Sequence, residues 1–145
     1  MSGAVEARLR QFLLAAAGAM CLGTIVELAL ADHTQAPLQW APFILSALGL
    51  IALAAFWFRP GPGTLWALRV TLGLIALGGV VGILAHLTGN REFVLETKPQ
   101  ADALTTLWLS LRGGAPALAP GILAITAALA GAATWKHPVL TGNRD

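Results

Sequence analysis

The stretch WALRVTLGLIALGGVVGILAHLT, residues 66–88, decides the fold class. A hydrocarbon core about 30 Å thick is crossed by roughly 20 apolar residues in a helix. This stretch is that long, and its only charge, Arg69, stands within a turn of its start. Upstream, Arg59-Pro60-Gly61-Pro62-Gly63 cannot continue a helix, because two prolines and two glycines fall together. It reads as a tight hairpin leading back to a second apolar run, 41–58, with no charge. Before that lies a third run, 11–31, uncharged except for Glu27. Downstream, an uncharged run over 121–135 is the shortest and is taken to begin at Leu118. Pro42 and Pro120 open two of these runs, where a missing N–H costs nothing.

Composition agrees with four spans. Of 145 residues, 57% are hydrophobic and 11% charged, against about 25% charged in an ordinary soluble domain. A water-soluble globule is thereby excluded. A net charge of +2, scattered along the chain, makes no nucleic-acid footprint. The single cysteine, Cys21, leaves no internal disulfide, CxxC pair or thiolate zinc cluster. The expectation is an all-α integral membrane four-helix bundle, one transmembrane domain over 1–145. Its spans are 11–31, 41–58, 66–88 and 118–135, with a structured extracytoplasmic loop between the third and fourth.

Arg8 and Arg10 ahead of an apolar run, with Ala17-Gly18-Ala19 inside it, resemble a secretory leader. The run continues past Cys21 through Val26, longer than a leader core, and bulky Met20 precedes the cysteine. An uncleaved span is therefore expected. Basic residues bias towards the cytoplasm. With the N-terminus inside, Arg8, Arg10, Arg59, Arg69, Lys136 and Arg144 are inner, while Arg91, Lys98 and Arg112 are outer. The expected location is the cell's inner membrane, with several passes and both termini cytoplasmic. Trp40, Trp57, Trp66 and Trp135 fall at span ends, the level an indole prefers.

Inside a bilayer, helices associate through small residues that let backbones approach. Ala15, Ala19 and Gly23 form one such stripe, Gly78 and Gly82 with Gly79 a second, and Ala124, Ala128 and Ala132 a third. Glu27 extends the first stripe by four residues and His86 extends the second, so both are expected to face the bundle interior. An ionisable group inside a membrane is a functional candidate by default. The plainer alternatives are an interfacial carboxylate, a helix-end histidine, or a Glu–His hydrogen bond fixing register. Glu27, His33 and His86, with Asn90 or Glu92, would make an outward-facing polar pocket for a ligand or a proton. Histidine with carboxylate also suits a metal, and His33 and His86 could ligate a haem iron. No ligand signature is present, so no cofactor is expected.

The connection over 89–118 is far longer than bundle loops usually are. REFVLE, 91–96, reads as an extended segment. A short helix over about 99–112 follows, with Pro99 near its first position and Gly113-Gly114 as its stop. Leu104, Leu107, Trp108 and Leu111 give it one apolar face, suited to an interface, a lid or a partner.

Phosphate-binding glycine loops, a GxSxG elbow and tyrosine are all absent. The leading functional expectation is a non-enzymatic accessory subunit or small binding protein at the outer membrane face. It would work within the lipid bilayer, in a larger membrane complex or a homo-oligomer, and not on nucleic acid. The alternative is a small oligomeric transporter or channel with Glu27 as its proton- or cation-responsive group. An interfacial enzyme ranks third.

Overall fold

The computed structural model describes residues 3–140. Arg144, counted on the inner side above, lies outside the described residues. The elements are α1 (Gly3–Leu30), α2 (Ala41–Phe58), α3 (Pro62–Thr97), α4 (Ala103–Leu111) and α5 (Gly121–Thr134), with short 3-10 turns at Pro37–Trp40 and Pro138–Leu140. Among the described residues there is no strand.

Three helical segments, Gly3–Leu30, Pro37–Phe58 and Pro62–Thr97, are long and apolar enough to cross a membrane. Only 17–22% of each segment's most apolar window is buried inside the protein. Phe12, Leu22, Val26, Ile44, Ile51, Val70, Leu74 and Leu77 all point outward. A soluble monomer does not leave so broad an apolar belt in water, so lipid is the solvent these helices suit. The chain is a small, all-helical protein compatible with a membrane location. α5 is apolar but has 14 residues, about 21 Å at 1.5 Å per residue, short of a full crossing.

Local chemistry sets the helix ends. Thr64 Oγ1 accepts from the Gly61 N–H at 3.1 Å and donates to the Arg59 carbonyl at 2.7 Å, closing the turn between α2 and α3. Pro62 opens α3. At the end of α1, the His33 N–H donates to the Leu28 carbonyl and the Asp32 N–H to the Ala29 carbonyl. With Asp32 at φ 49°, this is a Schellman turn, with aspartate where glycine is usual.

α1 and α3 each pack against both α2 and α5, so α1 and α3 stand on a diagonal. Gly49 of α2 lies at the centre. A Cβ there would come within 2.9 Å of Ile75 and 3.1 Å of Cys21. The apolar core fills the half nearer the α2–α3 turn. It comprises Leu14 and Ala17 of α1, Ala52, Leu53 and Phe56 of α2, Leu65 to Ile75 of α3, and Leu123 to Ala133 of α5. The other half packs through small residues. Gly78 receives Leu45, and Gly79 and Gly82 lie against Ala124 and Pro120.

Several expectations need correction. α3 does not stop at Thr88. It runs through Gly89 to Thr97, so REFVLE is helical rather than extended. The helix after it begins at Ala103 rather than near Pro99, because Asp102 is its N-cap, accepting from the Thr105 N–H at 2.8 Å. Residues 118–120 form a turn before α5 rather than its first residues. The third stripe is out of register. Ala128 and Ala132 are exposed, while Leu123, Ala127, Ala130 and Ala133 are buried. The first stripe, Ala15, Ala19 and Gly23, faces outward from the bundle.

Candidate functional site: two polar ends of the bundle

The helix ends divide into two groups. One end carries Arg10, Arg69 and His137, and the other carries His33, His86 and Asn90.

At the arginine end, two guanidinium groups reach the last carbonyls of α5. Arg10 Nη1 donates to Ala133 O at 2.6 Å and to Trp135 O at 2.7 Å. Arg69 Nη2 donates to Thr134 O at 2.5 Å. A helix C-terminus leaves its final carbonyls without intrahelical partners, and positive charge there also complements the helix dipole. Glu6 pairs with Arg10 from one turn below. Arg69 lies over the Trp66 ring at 5.6 Å, within cation–π range. His137 meets Phe56 edge-on, with ring centres 5.1 Å apart. Partial burial, and then the Arg10 and Arg69 charges, hold its pKa below the ordinary histidine value. The sequence placed both arginines at this end. The clamp on α5 was not visible in it, because no spacing rule links positions 10 and 69 to 133–135.

At the histidine end, Asn90 organises the connection from α4 to α5. It is buried, and its Nδ2 donates to Ser110 O at 2.8 Å and to Ala115 O at 2.7 Å. Its Oδ1 accepts from the Ala115 N–H at 3.2 Å. Gly113 presses directly on the carboxamide. Asn90 therefore uses its polar atoms as a clasp. One turn before it, His86 Nδ1 lies 3.0 Å from Pro116 O. The His33 ring stands 6.3 Å from the His86 ring, centre to centre, tilted by 59°. Both histidines are half-buried.

The structure thus brings together His33, His86 and the Asn90-held connection. Glu27 is separate from the bundle interior. It is exposed on the outward face of α1, among Ala19, Leu22, Gly23, Val26, Leu30 and Ala31. The expectation that it points inward fails because Cys21 and Thr24, not Gly23, carry the buried face of α1. Glu92 is exposed on the α3 extension. Among the described residues, no three His, Cys, Asp or Glu side chains converge as a complete metal-binding set.

The α3 extension and α4 pack together. Their contact is mixed, with Asn90 and Val94 buried on α3, and Thr106 and Ser110 buried on α4. The apolar face of α4 turns away. Leu104 is 76% exposed, Trp108 57%, Leu107 50% and Leu111 39%. The Arg112 guanidinium lies over the Trp108 ring, 5.5 Å from its centre.

No protein-family model matches the chain, and neither a curated protein nor a solved structure shows significant similarity to it.

Proposed function

We propose that the protein is a four-span accessory subunit that docks a larger membrane protein at the outer face, through α4. The observation that carries this reading is the inverted orientation of that helix. Its hydroxyl residues Thr106 and Ser110 are spent against α3, while Leu104, Leu107, Trp108 and Leu111 are left uncovered. α3 has 36 residues, about 54 Å at 1.5 Å per residue, well beyond a core of about 30 Å. The surplus carries Arg91, Glu92 and Glu96, all exposed, and exposed charges of this kind are costly in hydrocarbon. The α3–α4 hairpin then stands outside the bilayer, and an uncovered leucine–tryptophan face there suits a protein partner.

In this reading α5 is the fourth span, and both termini are cytoplasmic. Its shortness is offset at the inner end, where Arg10 and Arg69 reach up to its carbonyls, and long basic side chains bridge such depths to the interface.

The test places a photo-crosslinking residue at position 107 in native membranes. A discrete protein adduct, lost in Trp108→Glu while the melting temperature stays unchanged, supports docking. Crosslinking to lipid alone, or an adduct insensitive to Trp108→Glu, ends the proposal.

A second reading rests on Glu27. Its place on the outward face of α1 means that any path it lines must run between copies of the chain. Oligomeric transport then predicts that Glu27→Gln abolishes flux in proteoliposomes, and undiminished flux removes it.

A further inference from the structure

The His86 ring is anchored in one tautomer. Its Nδ1 lies 3.0 Å from Pro116 O, and a carbonyl oxygen only accepts, so Nδ1 carries a proton. The neutral ring then keeps its lone pair on Nε2. Proteins commonly present a histidine to a metal in this way, with the distal N–H held by a backbone carbonyl. The anchor is itself fixed. Asn90 grips Ala115, the residue before Pro116, on both its N–H and its carbonyl.

The second observation is independent and comes from another element. The Schellman turn ending α1 brings the His33 ring to 6.3 Å from His86. An ion held at about 2.0–2.1 Å by one nitrogen of each ring at the tetrahedral angle puts the ring centres roughly 5 Å apart, so a shift of about 1 Å by the His33 side chain closes the two rings on it. Both rings are half-buried, so an ion can enter and still be partly shielded from water.

We propose that His33 and His86 form an open two-histidine site for a divalent ion of borderline softness, with Zn²⁺ as its probe. Imidazole nitrogen selects zinc and its transition-metal neighbours over calcium and magnesium, which take oxygen. No third protein ligand converges there among the described residues. The remaining positions belong to water, so the ion is exchangeable rather than a closed structural centre. The site does not depend on α4 docking a partner.

The experiment uses the full chain, free of any polyhistidine tag, in detergent micelles, titrated with Zn²⁺ by calorimetry. The expected result is one ion per chain. Affinity should fall at least tenfold in His33→Gln and in His86→Gln, and stay unchanged in His137→Gln at the opposite end. A second measurement needs no variant: Zn²⁺ should protect His33 and His86, but not His137, from acylation by diethylpyrocarbonate. Absence of saturable binding, binding that survives both single substitutions, or equal protection of all three histidines overturns the proposal.

Discussion

A methyl group on Gly113 would stand 2.2 Å from Cγ of Asn90. Three hydrogen bonds hold that carboxamide, so it cannot swing aside as a free side chain would. Glycine at 113 and asparagine at 90 therefore form one unit, which ties the end of α4 to the approach to α5. Gly113→Ala is expected to cost about 1–3 kcal/mol, the usual range for overpacking. Asn90→Ala should cost about 2–3 kcal/mol, since it leaves the Ala115 carbonyl and N–H without their partner and Ser110 O with the long bond from the Gly113 N–H. Thermal melting in detergent reads both losses. Hydrogen exchange should show faster exchange over α4 and residues 113–117, with the centres of α1 and α2 unchanged. Uniform acceleration across all helices would mean that the clasp is not local.

The arginine clamp makes a separate prediction. Arg10 spans two carbonyls, Ala133 and Trp135, with one nitrogen, and its side chain is 14% exposed. Charge-assisted bonds of this kind contribute about 1.5–3 kcal/mol when little water competes. Arg10→Leu should lower stability by about 2–3 kcal/mol. Arg10→Lys should recover part of it, because an ammonium keeps the charge but not the planar fork. The double variant Arg10→Leu/Arg69→Leu should lose less than the sum of the singles, because both groups hold the same turn of α5. Denaturation in mixed micelles gives these values. Strict additivity would show that the two arginines act on separate structures.

Acid should weaken the same end through His137. Its pKa is held below the ordinary value by burial and then by the Arg10 and Arg69 charges. The folded chain thus binds fewer protons here than the unfolded chain, and stability rises with pH across that interval. The contribution is complete above the unfolded value of about 6.5 and is lost as the pH falls towards the lower folded value. The melting temperature should therefore drop between pH 7 and pH 5, and His137→Gln should reduce that drop. An identical slope in the variant would assign the acid sensitivity elsewhere.

The membrane character was legible because it rests on composition and run length, properties that every residue of a span reports. Which face of each helix turns inward was less legible. In water, a buried stripe announces itself by hydrophobicity, but here both faces are apolar. Ala15, Ala19 and Gly23 look like a packing seam and face outward, whereas Gly79 and Gly82 look alike and lie against Ala124 and Pro120. The α3 extension was hidden by its charges, which suggested a loop. Yet the stripe Gly78, Gly82, His86 continues at the same spacing to Asn90 and Val94, the two buried residues of that extension. Asp102 as N-cap was also readable, from Thr105 three residues on. The His33–His86 approach joins a turn to a helix, and no periodicity carries such a contact.

Asp32 gives the last prediction. It holds φ at 49° in the turn whose hydrogen bonds run from Asp32 to Ala29 and from His33 to Leu28. L-residues meet their own carbonyl in this region, and aspartate tolerates it better than most. Glycine lacks the Cβ that causes the conflict, although it gives up more freedom on folding. The balance favours Asp32→Gly by up to about 1 kcal/mol, as at other left-handed helix ends. Asp32→Val should instead cost about 1–2 kcal/mol, because a β-branched side chain suits this conformation least. The two variants remove the same carboxylate, so comparing their melting temperatures separates backbone from charge. Opposite shifts assign the effect to the backbone. Equal losses would mean that the carboxylate itself stabilises the turn beneath His33.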